Sequence, residues 1–446
     1  MNLEVGHLLA LLGVAIGAAI AVLTVRSNRF LGLYLWVILC GPYLFAVGTS
    51  NVRAAVVILP FFVVALVLER LYLGQLRNLL REPLYLGFLL LTGVMVVTSA
   101  INFGMVTGAT VSYFIYWFLA FGFFTLFLTH LSRLTSAEVD LLADQVIRAL
   151  VWFGVLACAI AWVEYFWPKA VHDFFNPEMG EQTWGSRNDL SFTLTIRRGG
   201  SMIGAPNAFG LFLVIASIAA WNRWLKERAP LFLMVQLFFV ISLLIHSNSR
   251  AALGLFILFG LWLLLQNRHY LFLLLAGGLV GVVGVALWPF IEGLLHSGAH
   301  YIESDGGIGR DIPIIGTRVS IWAATVFSLL AEPLHIFTGF GHANEVMVKF
   351  IGKQTAHNIP LSLIHFYGLF GFLLVLTMAW KIMRVAWRWR LHDGLFERSV
   401  FFFSLAHLLS GMVDAILFNP LMIQLNFALL ALGITKWQHE KRGHHG

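Results

Sequence analysis

Apolar runs of about 16 to 20 residues recur from one end of the chain to the other, each long enough to cross about 30 Å of hydrocarbon as a helix. They fall at 8–25, 30–48, 54–68, 84–101, 112–129, 149–166, 205–222, 231–246, 251–266, 270–288, 359–380, 399–416 and 420–435. None shows the period-2 alternation of a membrane-spanning barrel strand. The pattern predicts an all-α polytopic membrane protein of about 12–13 transmembrane helices, forming a single integral-membrane domain over 1–446. The third run is short and fits a tilted or partly interfacial segment.

Composition agrees with this pattern. Hydrophobic residues make up 59% of the 446 and charged ones 11%, against roughly 25% charged in a soluble domain. Cys40 and Cys158 both lie inside apolar runs, so neither a disulfide framework nor a metal-type spacing is expected. The first run has no positively charged leader and is followed at once by Arg26, Arg29 and a second run, which argues against a cleaved signal peptide. The net charge of +7 comes from basic residues placed singly or in small groups between apolar runs. Orientation in a membrane explains that placement better than nucleic acid does, and no nucleic-acid partner is expected.

Alternate connections can be compared by their Lys and Arg content. The set that includes Arg26, Arg70, Arg148, Arg228 and the group from Lys381 to Arg398 holds roughly twice as many as the other set, which makes it cytoplasmic. The C-terminus is then cytoplasmic and the N-terminus outside. The two longest connections, 167–204 and 289–358, fall on the outer face. They carry Trp167, Trp184, Trp322 and four basic residues each, too aromatic for a solvated linker. They are expected to form an outer lid, the second with an interfacial helix near 317–331.

Four clusters on that face could carry chemistry. In "RRGGSMIGAPNAFG", Arg197 and Arg198 precede a helix opened by Pro206 and Asn207. Free N–H groups at a helix start attract phosphate, so the cluster is either an anion site or a simple cap beside lipid headgroups. In "HSNSRAALG", Arg250 stands at the start of an apolar run, crowded by Ser247, Asn248 and Ser249. A charge at that depth needs a partner or an anionic ligand, unless it snorkels to the surface. In "GTRVSIW", Thr317 can cap a helix whose first turn holds Arg318, opposing the macrodipole at a cost that a bound anion would remove. In "KQTAHNIPLSLIHFYGLFG", His357 and Asn358 directly precede a membrane helix. His357 is either a cap or a group placed to exchange a proton near neutral pH. Asp414, near the outer end of the penultimate run, could orient a His or pair with an Arg.

These motifs, in this order, resemble the O-antigen ligase and O-antigen polymerase family of bacterial membrane glycosyltransferases. The features that match are the Arg-Gly stretch followed by "PNAFG", the hairpin "SNSRAALG", "GTRVSIW" with "GFG" about twenty residues later, and "HNIPLSLIHFYGLFG". They cover about residues 197 to 376, with Asp414 a looser addition. The resemblance implies transfer of a whole glycan from an undecaprenyl pyrophosphate carrier to an acceptor hydroxyl. The acceptor would be lipid A core for a ligase or a second carrier-linked glycan for a polymerase. The reaction would take place at the periplasmic face of the bacterial inner membrane.

The chemistry required fits the residues. A pyrophosphate leaving group needs charge stabilisation, which Arg250 and Arg318 would supply by bidentate contacts, with Arg197 or Arg198, Asn207, Asn358 and Asp414 in binding roles. The acceptor hydroxyl needs a general base or a positioning group, which would be His357. A single displacement would invert the anomeric centre. With no metal-ligand set on the outer face of the sequence, no metal or other cofactor is expected. Ligase and polymerase share a donor and are not separable here. A lipid-linked oligosaccharide flippase is the alternative, though it should line a mid-bilayer path with polar groups, which these apolar runs lack.

Overall fold

The computed structural model describes residues 43–47, 50–53, 78–167, 203, 206–247, 249–266, 268, 314–342, 358–392, 394–412 and 419–443. The apolar runs 8–25, 54–68 and 270–288 lie outside the described residues, as does most of each long connection.

The described residues are helical apart from one hairpin. Its strands, β1 (Tyr43–Val47) and β2 (Ser50–Arg53), pair antiparallel with Val47 opposite Ser50. The helix expected over 30–48 therefore does not reach Val47. Pro42 precedes the strand in sequence and cannot donate to a helical ladder, and the aromatic and β-branched residues that follow suit a pleated strand.

The helices are α1 (Pro83–Ile101), α2 (Gly108–Leu131), α3 (Ser136–Phe166), α4 (Pro206–Glu227), α5 (Pro230–Ser242), α6 (Arg250–Gln266), α7 (Ile314–Ala331), the short α8 (Leu334–Thr338), α9 (Ile359–Trp389), α10 (Leu395–Gly411) and α11 (Pro420–Gly443). Among the described residues, five spans are long and apolar enough to cross a membrane: Pro83–Ile101, Tyr113–Leu131, Ser136–Phe166, Asn207–Glu227 and Ile359–Trp389. Most helices start within a few residues of the apolar runs that predict them. The exception is α3, which begins well before residue 149. Thr135 and Glu138 form a capping box there: each side chain accepts from the other residue's backbone N–H. The turns that follow carry Asp140, Asp144 and Arg148, which no hydropathy window includes.

α4 is the centre of the bundle. It packs on α3, α5, α6 and α10, and every residue from Ala208 to Leu225 except Trp221 is buried. Such a helix must be apolar all round, and its run from Leu211 to Ala220 is, apart from Ser217, whose hydroxyl donates to Gln236 of α5. Gly154 of α3 admits this contact, since a Cβ there would stand 2.7 Å from Ala216 and from Phe239. On the other side α11 packs along α2, with the Phe427 ring against Trp117, Phe121 and Phe124.

The helices alternate in direction, which gives the bundle two distinct ends. One end collects Glu82, Asp140, Asp144, Arg223, Arg390 and Lys436, tied by cross-helix contacts. The other collects Asn102, Trp167, Asn207, His246, His342 and Asn358. The described basic side chains of the helices and their connections lie at the Lys436 end, among them Arg81, Arg133, Arg148, Lys381 and Arg398.

Candidate functional site at the His342 end

The end opposite Lys436 is organised around a break in α9. Gly368 takes φ +68°, a conformation only glycine adopts cheaply, and the helix is interrupted there. A break frees carbonyls from the i to i−4 ladder, and buried carbonyls need partners. The Gly339-Phe340-Gly341 segment supplies them. Phe340 N–H donates to the His365 carbonyl at 2.8 Å and Gly341 N–H to the Phe366 carbonyl at 2.9 Å.

The strap itself is built from positive-φ glycines, Gly339 at +70° and Gly341 at +85°. Strap and break interlock closely: a Cβ on Gly368 would meet the Phe337 carbonyl oxygen at 2.0 Å, and one on Gly339 the Phe366 oxygen at 2.4 Å. From α1, the Asn102 side-chain amide donates to the Gly339 carbonyl at 3.0 Å. The His335 ring also donates to that carbonyl, at 2.9 Å. In sequence "GFG" is a short glycine-flanked stretch and Gly368 an ordinary glycine within an apolar run. Neither alone revealed that each completes the other.

His342 closes the strap. Its ring stacks on Tyr113 with centroids 3.5 Å apart and shares a 2.7 Å hydrogen bond with the Tyr367 hydroxyl, while its backbone carbonyl accepts from Thr110. The imidazole is buried, and burial lowers its pKa from 6.5 to about 3. It is therefore neutral at physiological pH and packs within the strap.

The half of α9 before the break, Ile359–Tyr367, is anchored at its start by Asn358. The Asn358 side-chain oxygen accepts from Leu361 N–H at 3.0 Å, and its amide donates to the Met412 carbonyl at the end of α10 at 2.8 Å. Gly411 lets Ile359 approach, because a Cβ there would stand 2.7 Å from the Ile359 side chain. Asn358, named above as a binding residue, is here a cap and a tie between α9 and α10.

The other candidates are placed as follows. Asn207 is the second residue of α4, after Pro206, as the sequence predicts. Arg250 is the first residue of α6, and Ser249 caps that helix: its hydroxyl accepts from Ala252 N–H and its carbonyl from Leu253 N–H. α7 begins at Ile314, so Thr317 is not its cap and Arg318 lies beyond the first turn. Pro313, just before Ile314, suits a helix start better than Thr317 does, and the dipole argument applies to Arg250 rather than Arg318. The side chains of Arg250 and Arg318 are outside what the structure describes. Arg197, Arg198, His357 and Asp414 lie outside the described residues altogether.

Two groups passed over in the sequence stand at the same end. Glu164 is 2% exposed near the end of α3. α3 and α4 run antiparallel with Gly154 against Ala216, which brings Glu164 level with the start of α4. His246 is fully buried in a π-helical turn, Leu243–Ser247, that continues α5. A run ending in "LLIHS" gives no hint of that turn, and Glu164 reads as one acid within an apolar stretch.

No protein-family model matches the chain, and no curated protein is matched by it. Among the described residues no group of three His, Cys, Asp or Glu side chains is close enough to hold a metal ion.

Proposed function

We propose that the protein is a membrane glycosyltransferase that moves a glycan en bloc from an undecaprenyl pyrophosphate carrier to an acceptor hydroxyl, as an O-antigen ligase or an O-antigen or exopolysaccharide polymerase. The observation that carries the reading is convergence. The starts of α4, α6 and α9, which carry Asn207, Arg250 and Asn358 and follow Arg197, Arg198 and His357 in sequence, belong to the same end of the bundle. Among the described residues that end is otherwise poor in basic side chains, and the Lys436 end is rich in them. By the positive-inside rule the His342 end then faces the periplasm and the Lys436 end the cytoplasm, in a bacterial inner membrane.

In this reading Arg250 and Arg318 hold the pyrophosphate, with Arg197 or Arg198 as a further contact. Their planar donor forks offset the charge that develops on the leaving phosphates. His357 takes the proton from the acceptor hydroxyl, or holds that hydroxyl in line for a displacement that inverts the anomeric centre. Asn358 supports it from the next position by fixing the start of α9. Asp414 orients His357 or pairs with an Arg. No metal is required by this division of labour.

The broken α9 is the one feature that favours the flippase alternative, since transporters bind ions and substrates at discontinuous helices. Here the carbonyls freed at the break already accept from Phe340 and Gly341. A transfer assay with purified protein in EDTA separates the readings, using a synthetic undecaprenyl pyrophosphate glycan with lipid A core or a second carrier-linked glycan. Product on one acceptor names the enzyme. Donor crossing liposomes with no product on either acceptor would favour the flippase.

A further inference from the structure

The imidazole of His246 is fully buried, and neither ring nitrogen has a hydrogen-bond partner among the described residues. An imidazole presents one N–H donor and one acceptor when neutral, and leaving them unmet in the interior carries a desolvation cost that no contact among the described residues offsets. Its walls are aromatic. The Trp162 ring stands perpendicular to it at 4.6 Å and the Tyr165 ring at 5.8 Å. The Trp162 indole N–H is already donated to Ser242, one turn earlier in α5.

The backbone around His246 is also irregular. Leu243–Ser247 is π-helical, packed against α3, α4 and α6, and insertions of this kind recur at functional sites. Four residues on from His246, α6 begins with Arg250. Trp162 and Tyr165, which line the ring, belong to the last turns of α3, and the residues that follow them, Phe166 and Trp167, are 62% and 64% exposed at the His342 end. A ring that were only packing would be better replaced by Phe. A ring that meets a ligand explains both the unmet nitrogens and the widened turn.

We propose that His246 is a substrate-contacting residue whose ring N–H donates to a phosphate oxygen of a lipid-borne diphosphate held at the connection between α5 and α6. A charged acceptor gives the stronger hydrogen bond. The proposal rests on the carrier-linked donor of the preceding section. The same phosphate chemistry could come from a phospholipid headgroup, so the probes must distinguish the two.

The test is direct binding of radiolabelled undecaprenyl pyrophosphate to the full-length protein in phosphate-free nanodiscs, with phosphatidylglycerol as competitor, for wild type, His246→Phe and His246→Gln. The Phe variant keeps the shape and removes the unmet nitrogens, so its melting temperature should equal or exceed wild type while affinity falls about tenfold, the weight of one charge-assisted hydrogen bond. The Gln variant, which keeps a donor, should fall between them. Equal affinity in wild type and His246→Phe overturns the proposal, whatever the transfer assay gives. Competition by phosphatidylglycerol at equal concentration, lost in His246→Phe, overturns the carrier as occupant and leaves a phospholipid headgroup in its place. Weaker diphosphate binding in His246→Phe together with no transfer by wild type supports the contact and removes the glycosyltransferase reading instead.

Discussion

The two ends of the bundle handle buried polarity in opposite ways. At the Lys436 end charge is met by charge. The Lys436 ammonium reaches both Asp140 and Glu397, and Arg223 reaches both Asp144 and Glu227, with Arg223, Glu397 and Lys436 all buried. Burial opposes the charge on Lys436, but Glu397 and Asp140 outweigh it and hold its pKa above 10.5. At the His342 end the described contacts are mostly between uncharged groups, with the Glu332–His335 pair beside them. They consist of glycine turns, carbonyls freed by a broken helix, stacked rings and, in His246, an imidazole with no hydrogen-bond partner among the described residues. The first arrangement fixes α3, α10 and α11 against one another. The second shapes a surface around helix starts whose sequence neighbours are Arg and His.

The contrast can be broken most severely at the strap. Gly368→Ala puts a Cβ 2.0 Å from the Phe337 carbonyl in a left-handed conformation, so both the strap and the half-helix must move. A loss above about 4 kcal/mol is expected, seen as little folded protein by size-exclusion chromatography in detergent.

Next in size is Lys436→Met, which strands the buried Glu397 carboxylate. It should cost about 3 kcal/mol of stability in thermal melts, and Glu397→Gln added to it should recover part of that loss. The raised Lys436 pKa adds a pH dependence. The stabilisation is complete below about 10.5 and is lost as pH rises through the higher folded value, so the melting temperature of wild type should fall in alkali more than that of the double variant.

At the opposite end the sign reverses. His342 is neutral when folded and its pKa is depressed by burial, so its contribution is complete above the unfolded value of 6.5 and is lost as pH falls toward about 3. His342→Gln should flatten the acid limb of the stability curve. The smallest effect belongs to Tyr367→Phe, which removes one shared hydrogen bond from His342, about 1 kcal/mol by thermal melting.

What the sequence made legible follows the reach of its signals. Hydropathy located α1, α2, α4, α5, α6 and α9 because each helix and its apolar run coincide. It missed the first half of α3, where Asp140, Asp144 and Arg148 form the polar face of a helix that leaves the apolar zone. Helix starts at Asn207, Arg250 and Asn358 were visible because Pro, Ser and Asn mark them locally. The strap was not, because its meaning is relational: Gly339 matters only against Phe366, and Gly368 only against Phe337. Thr317 misled for the same reason, a good capping residue in sequence lying inside a helix that Pro313 had already allowed to start. His246 left no trace because a π-turn has no side-chain signature of its own.

The most direct test of the contrast is glycan transfer measured side by side for wild type, His357→Ala and Lys436→Met, in EDTA, each with its melting temperature. The account predicts that His357→Ala makes no product while melting as wild type does, and that Lys436→Met melts lower yet transfers wherever it remains folded. Full product from His357→Ala would contradict it.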